Sequence, residues 1–184
     1  MADNRKAKPD NSALEGAHKY FTQNVLPREI HVGVRRISTP TSYSHNQDET
    51  FLLVRSGSGT LAVNGDNYRI KANTLVNLSP FHRYRYTPDR GETLEIAEAK
   101  MNSGTYVYMI ANPYYKIKRL VVPSKPAIVY LTGLMAEIAE QAMTGMIQEC
   151  RQNSRDQVSM CFCYMTDLFG IIVEELGKKK KGKA

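Results

Sequence analysis

Residues 51–64, FLLVRSGSGTLAVN, continued by residues 66–88, DNYRIKANTLVNLSPFHRYRYTP, decide the reading of the fold. The apolar run Phe51-Leu52-Leu53-Val54 ends at the glycine-rich reversal Ser56-Gly57-Ser58-Gly59. The alternating run Thr60-Leu61-Ala62-Val63 ends at Asn64-Gly65, the strongest short-range signal for a two-residue hairpin turn. Two tight turns this close together predict antiparallel strands in a small double-hairpin unit of a β-barrel. Function then depends on what the barrel encloses.

From about Glu29 to about Leu120 the apolar residues recur with period two or in short runs. Turn residues interrupt them at Thr39-Pro40, Gly57, Gly59, Asn64-Gly65, Ser79-Pro80, Pro88-Asp89, Gly91 and Asn112-Pro113. Many short strands at this spacing, with no helix between them, predict a sandwich or barrel. After Pro123 and Pro126 the period becomes helical. One stripe runs through Ile128, Leu131, Leu134, Met135, Ile138, Ala142, Met143, Met146 and Ile147, and a second through Val158, Cys161, Phe162, Met165, Leu168, Phe169, Ile172, Val173 and Leu176. The break at residues 151–154 is short, and Ser154 with Gln157 has the form of a capping box, so the pair reads as an antiparallel hairpin. Gly177 stands where a C-terminal cap glycine belongs. The expected organisation is a flexible polar leader over 1–17, a ligand-sensing barrel over 18–122, a helical hairpin over 123–177 and a basic tail or linker start over 178–184.

Composition narrows the class. With 184 residues, 42% of them apolar, the chain is large enough for one ordinary globular core. No apolar segment is read as approaching the roughly 18–20 residues of a membrane span, and the first residues, MADNRKAKPDNSALEG, lack the apolar core of a signal peptide. A soluble, cytoplasmic protein is expected, without a membrane partner. The odd set of three cysteines, Cys150, Cys161 and Cys163, argues against a secreted disulfide framework. Cys161 and Cys163 lie two apart in a helical pattern, about 200° from each other, and read as packing residues rather than a metal pair. The net charge of +7 suggests nucleic acid until it is located: Lys178, Lys179, Lys180, Lys181 and Lys183 supply five, leaving +2 for residues 1–177 (7 − 5 = 2). A terminal run of like charges without interleaved aromatics reads as a solvated tail.

The polar segment His45-Asn46-Gln47-Asp48-Glu49, the run FLLVRSGSGTLAVNGDNYRIKANTLVNLSPFHRYRY and the two-helix tail together resemble the N-terminal sensor half of AraC-family transcriptional regulators over about residues 28–176. The resemblance implies a cupin-like double-stranded β-helix, or jelly-roll, barrel followed by an antiparallel two-helix hairpin. It also implies an effector in the barrel, self-association through the helices, and DNA contact through a C-terminal helix-turn-helix part that this chain does not include. The dimerisation residues expected on the apolar stripes are Leu131, Met135, Ile138, Met143, Leu168 and Ile172, forming a homodimer that buries on the order of 1,200–2,000 Å².

The departures from metal-binding cupins matter as much. Those proteins place His-x-His and a glutamate before the first glycine turn, and a further histidine after the proline on the later strand. Counted from Gly57, these positions fall on Asn46, Thr50 and Tyr84, while His45 and Glu49 are each one residue off, which in a strand reverses the facing. No metal, no other cofactor and no catalytic residue is therefore expected. If Thr50 faces inward, so do Leu52 and Val54, and if Tyr84 does, so do His82 and Tyr86. The strand Ile30-Val32-Val34 has an apolar face that continues into Arg36, either a surface residue or a buried group with an acceptor. Arg36, Thr50, Leu52, His82, Tyr84 and Tyr86 are the expected contacts of a small organic or sugar-like effector, a sugar or an organic acid. The competing reading is a stand-alone cupin enzyme, an isomerase or dioxygenase with a degenerate metal site, for which His82 and Glu49 are the available acid/base groups. A third is a filled barrel serving only dimerisation.

Overall fold

The computed structural model describes residues 30–80, 82–102, 125–152 and 157–181. The strands are β1 (His31–Ile37), β2 (Ser44–His45), β3 (Glu49–Ser56), β4 (Ser58–Val63), β5 (Asp66–Lys71), β6 (Thr74–Leu78), β7 (Arg83–Pro88), β8 (Leu94–Met101) and β9 (Ala127–Tyr130), followed by helices α1 (Leu134–Gln152) and α2 (Gln157–Lys181). They form a five-stranded sheet in the order β1-β8-β3-β6-β9 and a four-stranded sheet in the order β2-β7-β4-β5, all antiparallel. This is the expected jelly roll with a helical hairpin at its C-terminal end.

The opening stretch folds as one unit, but not as two hairpins. Asn64 (φ 50) and Gly65 (φ 94) make the tight turn that pairs β4 with β5. The Gly57 reversal differs: β3 and β4 do not pair with each other, and the chain crosses there from the larger sheet to the smaller. Gly57 has φ +80, and a Cβ on it would stand 2.2 Å from the carbonyl oxygen of Thr93, so the crossing tolerates no side chain. At Asn73 (φ 63) the chain crosses back, which lets β3 pair with β6 while β4 pairs with β5.

Because the larger sheet is covered on both sides, there are two cores. Between the sheets lie Ile37, Leu52, Val54, Leu61, Val63, Ile70, Val76, Leu78, Tyr84, Tyr86, Leu94 and Ile96. On the opposite face Phe51, Leu53, Leu75, Ala97, Ala99, Met101 and Val129 pack against the helices. The run Phe51-Leu52-Leu53-Val54 is continuously apolar because alternate residues serve different cores.

Several expectations for the C-terminal part are corrected. Ile128 belongs to β9, which pairs with β6, and Leu131 follows that strand, its N–H donating to the Asn73 carbonyl at 2.8 Å. The β-branched and aromatic run Ala127-Ile128-Val129-Tyr130 extends the sheet, and the helix starts only after Gly133 (φ 52). Gly177 does not end α2, which continues to Lys181, carried on by the ion pairs of Lys178 with Glu174 (2.9 Å) and Glu175 (2.7 Å). Gln157–Lys178 is long and apolar enough, by length and composition, to count as a membrane span, contrary to the sequence reading. Of the apolar window 33% is buried, through residues such as Cys161, Met165, Leu168, Phe169 and Ile172 of the core, while Val158 and Met160 are exposed. The leader over 1–17, the strand signals between 103 and 124 and the Ser154 cap lie outside the described residues.

Leu131, Met143, Leu168 and Ile172 are buried in the chain's own core, and Met135 and Ile138 are half-buried against it. The stripe expected to hold a partner holds the barrel instead. Arg55 fastens the union: its guanidinium bonds the Glu140 carboxylate (2.6 Å) and the Thr144 hydroxyl (2.9 Å) on α1.

Candidate functional site

Ladder register fixes which side chains face the space between the sheets. Leu52 stands opposite Glu98, which stands opposite Gly33; Thr50 stands opposite Lys100, which stands opposite His31; Val54 stands opposite Ile96, which stands opposite Arg35. Since Leu52, Val54 and Ile96 belong to the inter-sheet core, the same face carries Thr50, Glu98, Lys100, His31 and Arg35. One end of the barrel interior is therefore apolar, and the other collects charge.

Five of the six expected contact residues lie at the interior. Thr50, Leu52, His82, Tyr84 and Tyr86 are all buried, and the two tyrosine rings meet edge to face at 5.6 Å. Arg36 does not join them. It shares the outward face of Ile30, Val32 and Val34, its side chain is 78% exposed, and its Nε donates to Glu95 at 3.0 Å. The inward arginine is its neighbour Arg35, whose guanidinium lies 6.0 Å from the Tyr86 ring centroid and 3.8 Å from the Glu98 carboxylate. The apolar face of β1 is real, but it is the one turned toward the helices.

Sequence reasoning missed Glu98 and Lys100 as well. In Leu94-Glu95-Ile96-Ala97-Glu98-Ala99-Lys100-Met101, period two places residues 94, 96, 98 and 100 on one face, so two charges follow two buried aliphatics inward. The Lys100 ammonium lies 3.3 Å from the Glu98 carboxylate, on the opposite oxygen from Arg35. Burial, followed by the field of Glu98, holds the Tyr84 phenol above its ordinary range, opposed by Lys100 and Arg35. Burial drives Tyr86 well above it too, so both hydroxyls keep their protons.

The positions where metal-binding cupins keep ligands form a structural junction. The Thr50 hydroxyl donates to Asn46 Oδ1 at 2.9 Å, and Asn46 Nδ2 donates to the carbonyls of Leu78 (3.0 Å) and Ser79 (3.1 Å). His82 Nδ1 accepts the Ser79 N–H at 3.0 Å, which fixes the corner leading into β7. His45 is exposed, and Glu49 turns with Phe51 and Leu53 to the opposite face of the sheet from Thr50. The one-residue offsets read from the sequence thus do reverse the facing, and Glu49 and His82 each meet Ser79, His82 at its backbone N–H and Glu49 at its side chain.

Beside the charged end, a cavity of about 480 Å³ opens along β1, the outermost of the described strands of the larger sheet, lined by Ile30, His31, Val32, Gly33, Glu98, Lys100, Cys150 and Gln157. Gly33 has no atom within 4 Å of where a Cβ would stand. The volume falls within the roughly 300–1,000 Å³ of small-ligand pockets. None of the six expected contact residues lines it. Its walls come from both parts of the chain, Glu98 and Lys100 from the barrel and Cys150 and Gln157 from the helix pair.

The architecture is a jelly-roll barrel with a helix pair packed on one face of its larger sheet. No family model and no curated protein sequence matches the chain. Among solved structures it is similar to ToxT of Vibrio cholerae, an AraC-family regulator, in the apo K231A form of strain SCE256 (TM-score 0.56, 12% identity, 80% of this chain and 57% of that one). It is also similar to wild-type ToxT of that strain bound to an unsaturated fatty acid (TM-score 0.51, 14% identity, 83% and 56%), and to ToxT of strain O395 bound to (E)-4-(8-methylnaphthalen-1-yl)but-3-enoic acid (TM-score 0.52, 14% identity, 74% and 54%). The chain thus spans little more than half the length of ToxT, and at these identities the likeness is one of fold.

Proposed function

We propose that this chain is the effector-binding and dimerisation part of an AraC-type transcriptional regulator, without enzymatic activity, and that it takes a small organic acid in the cavity between the barrel edge and the helix pair. The observation that carries the reading is the composition of that cavity's wall. Glu98 and Lys100 reach it from the barrel, and Cys150 and Gln157 from the helices, so a ligand there touches both parts and favours one arrangement of them over another. Charge supports an acid over a neutral sugar. Of the charged lining residues Lys100 balances Glu98, and Arg35, on the other oxygen of Glu98, adds one positive charge beside the cavity. The two ToxT ligands named above are likewise carboxylic acids.

In this reading the protein is cytoplasmic, and sequence-specific DNA contact belongs to a part of the regulator outside these 184 residues. Self-association uses what the barrel leaves uncovered on the hairpin, where Leu134, Val158 and Met160 are exposed, rather than the stripe named from sequence. Calorimetric titration with a long-chain unsaturated fatty acid, an aryl-alkenoic acid and neutral sugars tests the proposal, together with the mass by light scattering. Binding of at least one acid, no binding of sugars, and a dimeric mass are expected. Sugar binding alone would overturn the ligand class, and a monomer at micromolar concentration would overturn dimerisation.

A further inference from the structure

Two thiols meet at the wall of the cavity. Cys150 lies in the last turn of α1 and Cys161 in the second turn of α2, and their Sγ atoms are 4.0 Å apart. Their surroundings differ. Cys150 is half-buried, lines the open cavity and accepts a hydrogen bond from Gln157 Nε2 at 3.3 Å. Cys161 is fully buried, its Sγ 4.0 Å from the carbonyl oxygen of Met146. The third cysteine, Cys163, is exposed and points away from the pair, two helical positions on.

We propose that Cys150 and Cys161 are an oxidisable dithiol, a modification site at which a peroxide entering the cavity converts the pair to an intramolecular disulfide between α1 and α2. The thiolate of Cys150, the sulfur open to the cavity, attacks one oxygen of the peroxide. The O–O bond breaks, the other oxygen leaves as hydroxide or alkoxide and takes up a proton, and Cys150 becomes a sulfenic acid. The Cys161 thiol then attacks the sulfenic sulfur, the S–S bond forms, and the hydroxyl leaves as water with the Cys161 proton. Both sulfurs together lose two electrons, and the peroxide gains them. Burial, with Cys150 next to it, pushes the Cys161 thiol up to about 12, so Cys161 is not the sulfur that meets the peroxide first. Closing the bridge takes an approach of about 2 Å, to the S–S bond length of about 2.05 Å. The movement draws the first turns of α2 against the end of α1 and turns Cys150 out of the cavity wall. The chemistry itself does not depend on any effector.

The test is hydrogen peroxide treatment of the full chain, alkylation of remaining thiols, and tryptic peptide mapping without reductant. Cleavage after Arg151 and Arg155 separates Cys150 from Cys161, while Cys163 stays in the same peptide as Cys161, so Cys163→Ser is run beside the wild type. The expected result is a linked Cys150–Cys161 peptide within single chains, reversed by dithiothreitol, present in Cys163→Ser and lost in Cys150→Ser. Sulfinic acid at Cys150 without linkage, linkage that disappears in Cys163→Ser, or no oxidation at all would overturn the proposal. Since the wild-type and Cys163→Ser maps decide it, it does not depend on the folding of a variant in which buried Cys161 is replaced.

Discussion

The Arg35 guanidinium lies 3.8 Å from the Glu98 carboxylate on the inner side of β1, while the adjacent Arg36 bonds Glu95 at 3.0 Å on the outer side. Two consecutive arginines thus sit in different surroundings: Arg35, 44% exposed, over a buried tyrosine ring, and Arg36, 78% exposed, in solvent. Alternation along a strand requires this, and it gives an internal control for any claim about the ligand.

If an organic acid is held in the cavity, Lys100→Ala should weaken it about 10-fold or more, the scale of a lost charge-assisted hydrogen bond of ~1.5–3 kcal/mol. Arg35→Ala, which removes a positive charge beside the cavity without a lining contact, should weaken it by less than that but by more than about 2-fold. Arg36→Ala should change affinity less than about 2-fold, because an exposed ion pair contributes little. Calorimetry on the three variants checks this. Equal losses for Arg35→Ala and Arg36→Ala would mean that the acid is not read by the inward face.

Gly57→Ala should destabilise the fold by about 2 kcal/mol or more. The residue is held at φ +80, and a Cβ there would press on the Thr93 carbonyl at 2.2 Å, backbone that has no room to move aside. Gly65→Ala, at φ +94 but with nothing within 4 Å of its Cβ, should lose less, about 1 kcal/mol. Denaturant midpoints for the two variants give the comparison.

Local signals and non-local pairings were not equally legible. The Asn64-Gly65 hairpin was read correctly because its geometry is set by two residues. Gly57 carries the same local signature, yet it marks a crossing between sheets, and only the distant Thr93 reveals why a glycine is needed there. In the same way Ile128 and Leu131 fit a helical stripe by spacing, but β6 offers an open edge that β9 fills. Period two correctly grouped Thr50 with Leu52 and Tyr84 with Tyr86. It misled at β1 because the larger sheet is covered on both sides, so an apolar face there does not identify the barrel interior. The cavity was hidden for a related reason: its walls join residues of β1 and β8 to Cys150 and Gln157, and no spacing in the sequence brings these together.

Glu49 gives the fold a pH dependence whose sign is fixed by its surroundings. Its carboxyl is buried, and burial pushes it up from its ordinary 4.5 to about 7 against the opposing hydrogen bonds of Asn77 (3.3 Å) and Ser79. The folded state therefore holds a proton that the unfolded chain has already released between pH 4.5 and 7. Stability should fall as pH rises through that window, by up to about 3 kcal/mol from this group, and level off above pH 7. Glu49→Gln removes the charge and keeps an amide oxygen for the Asn77 donor. It should be more stable than the wild type at pH 8, nearly equal to it at pH 4, and should lack the slope between. Urea melts of both proteins across pH 4–8 measure this, and parallel curves would mean that Glu49 titrates as it does in water.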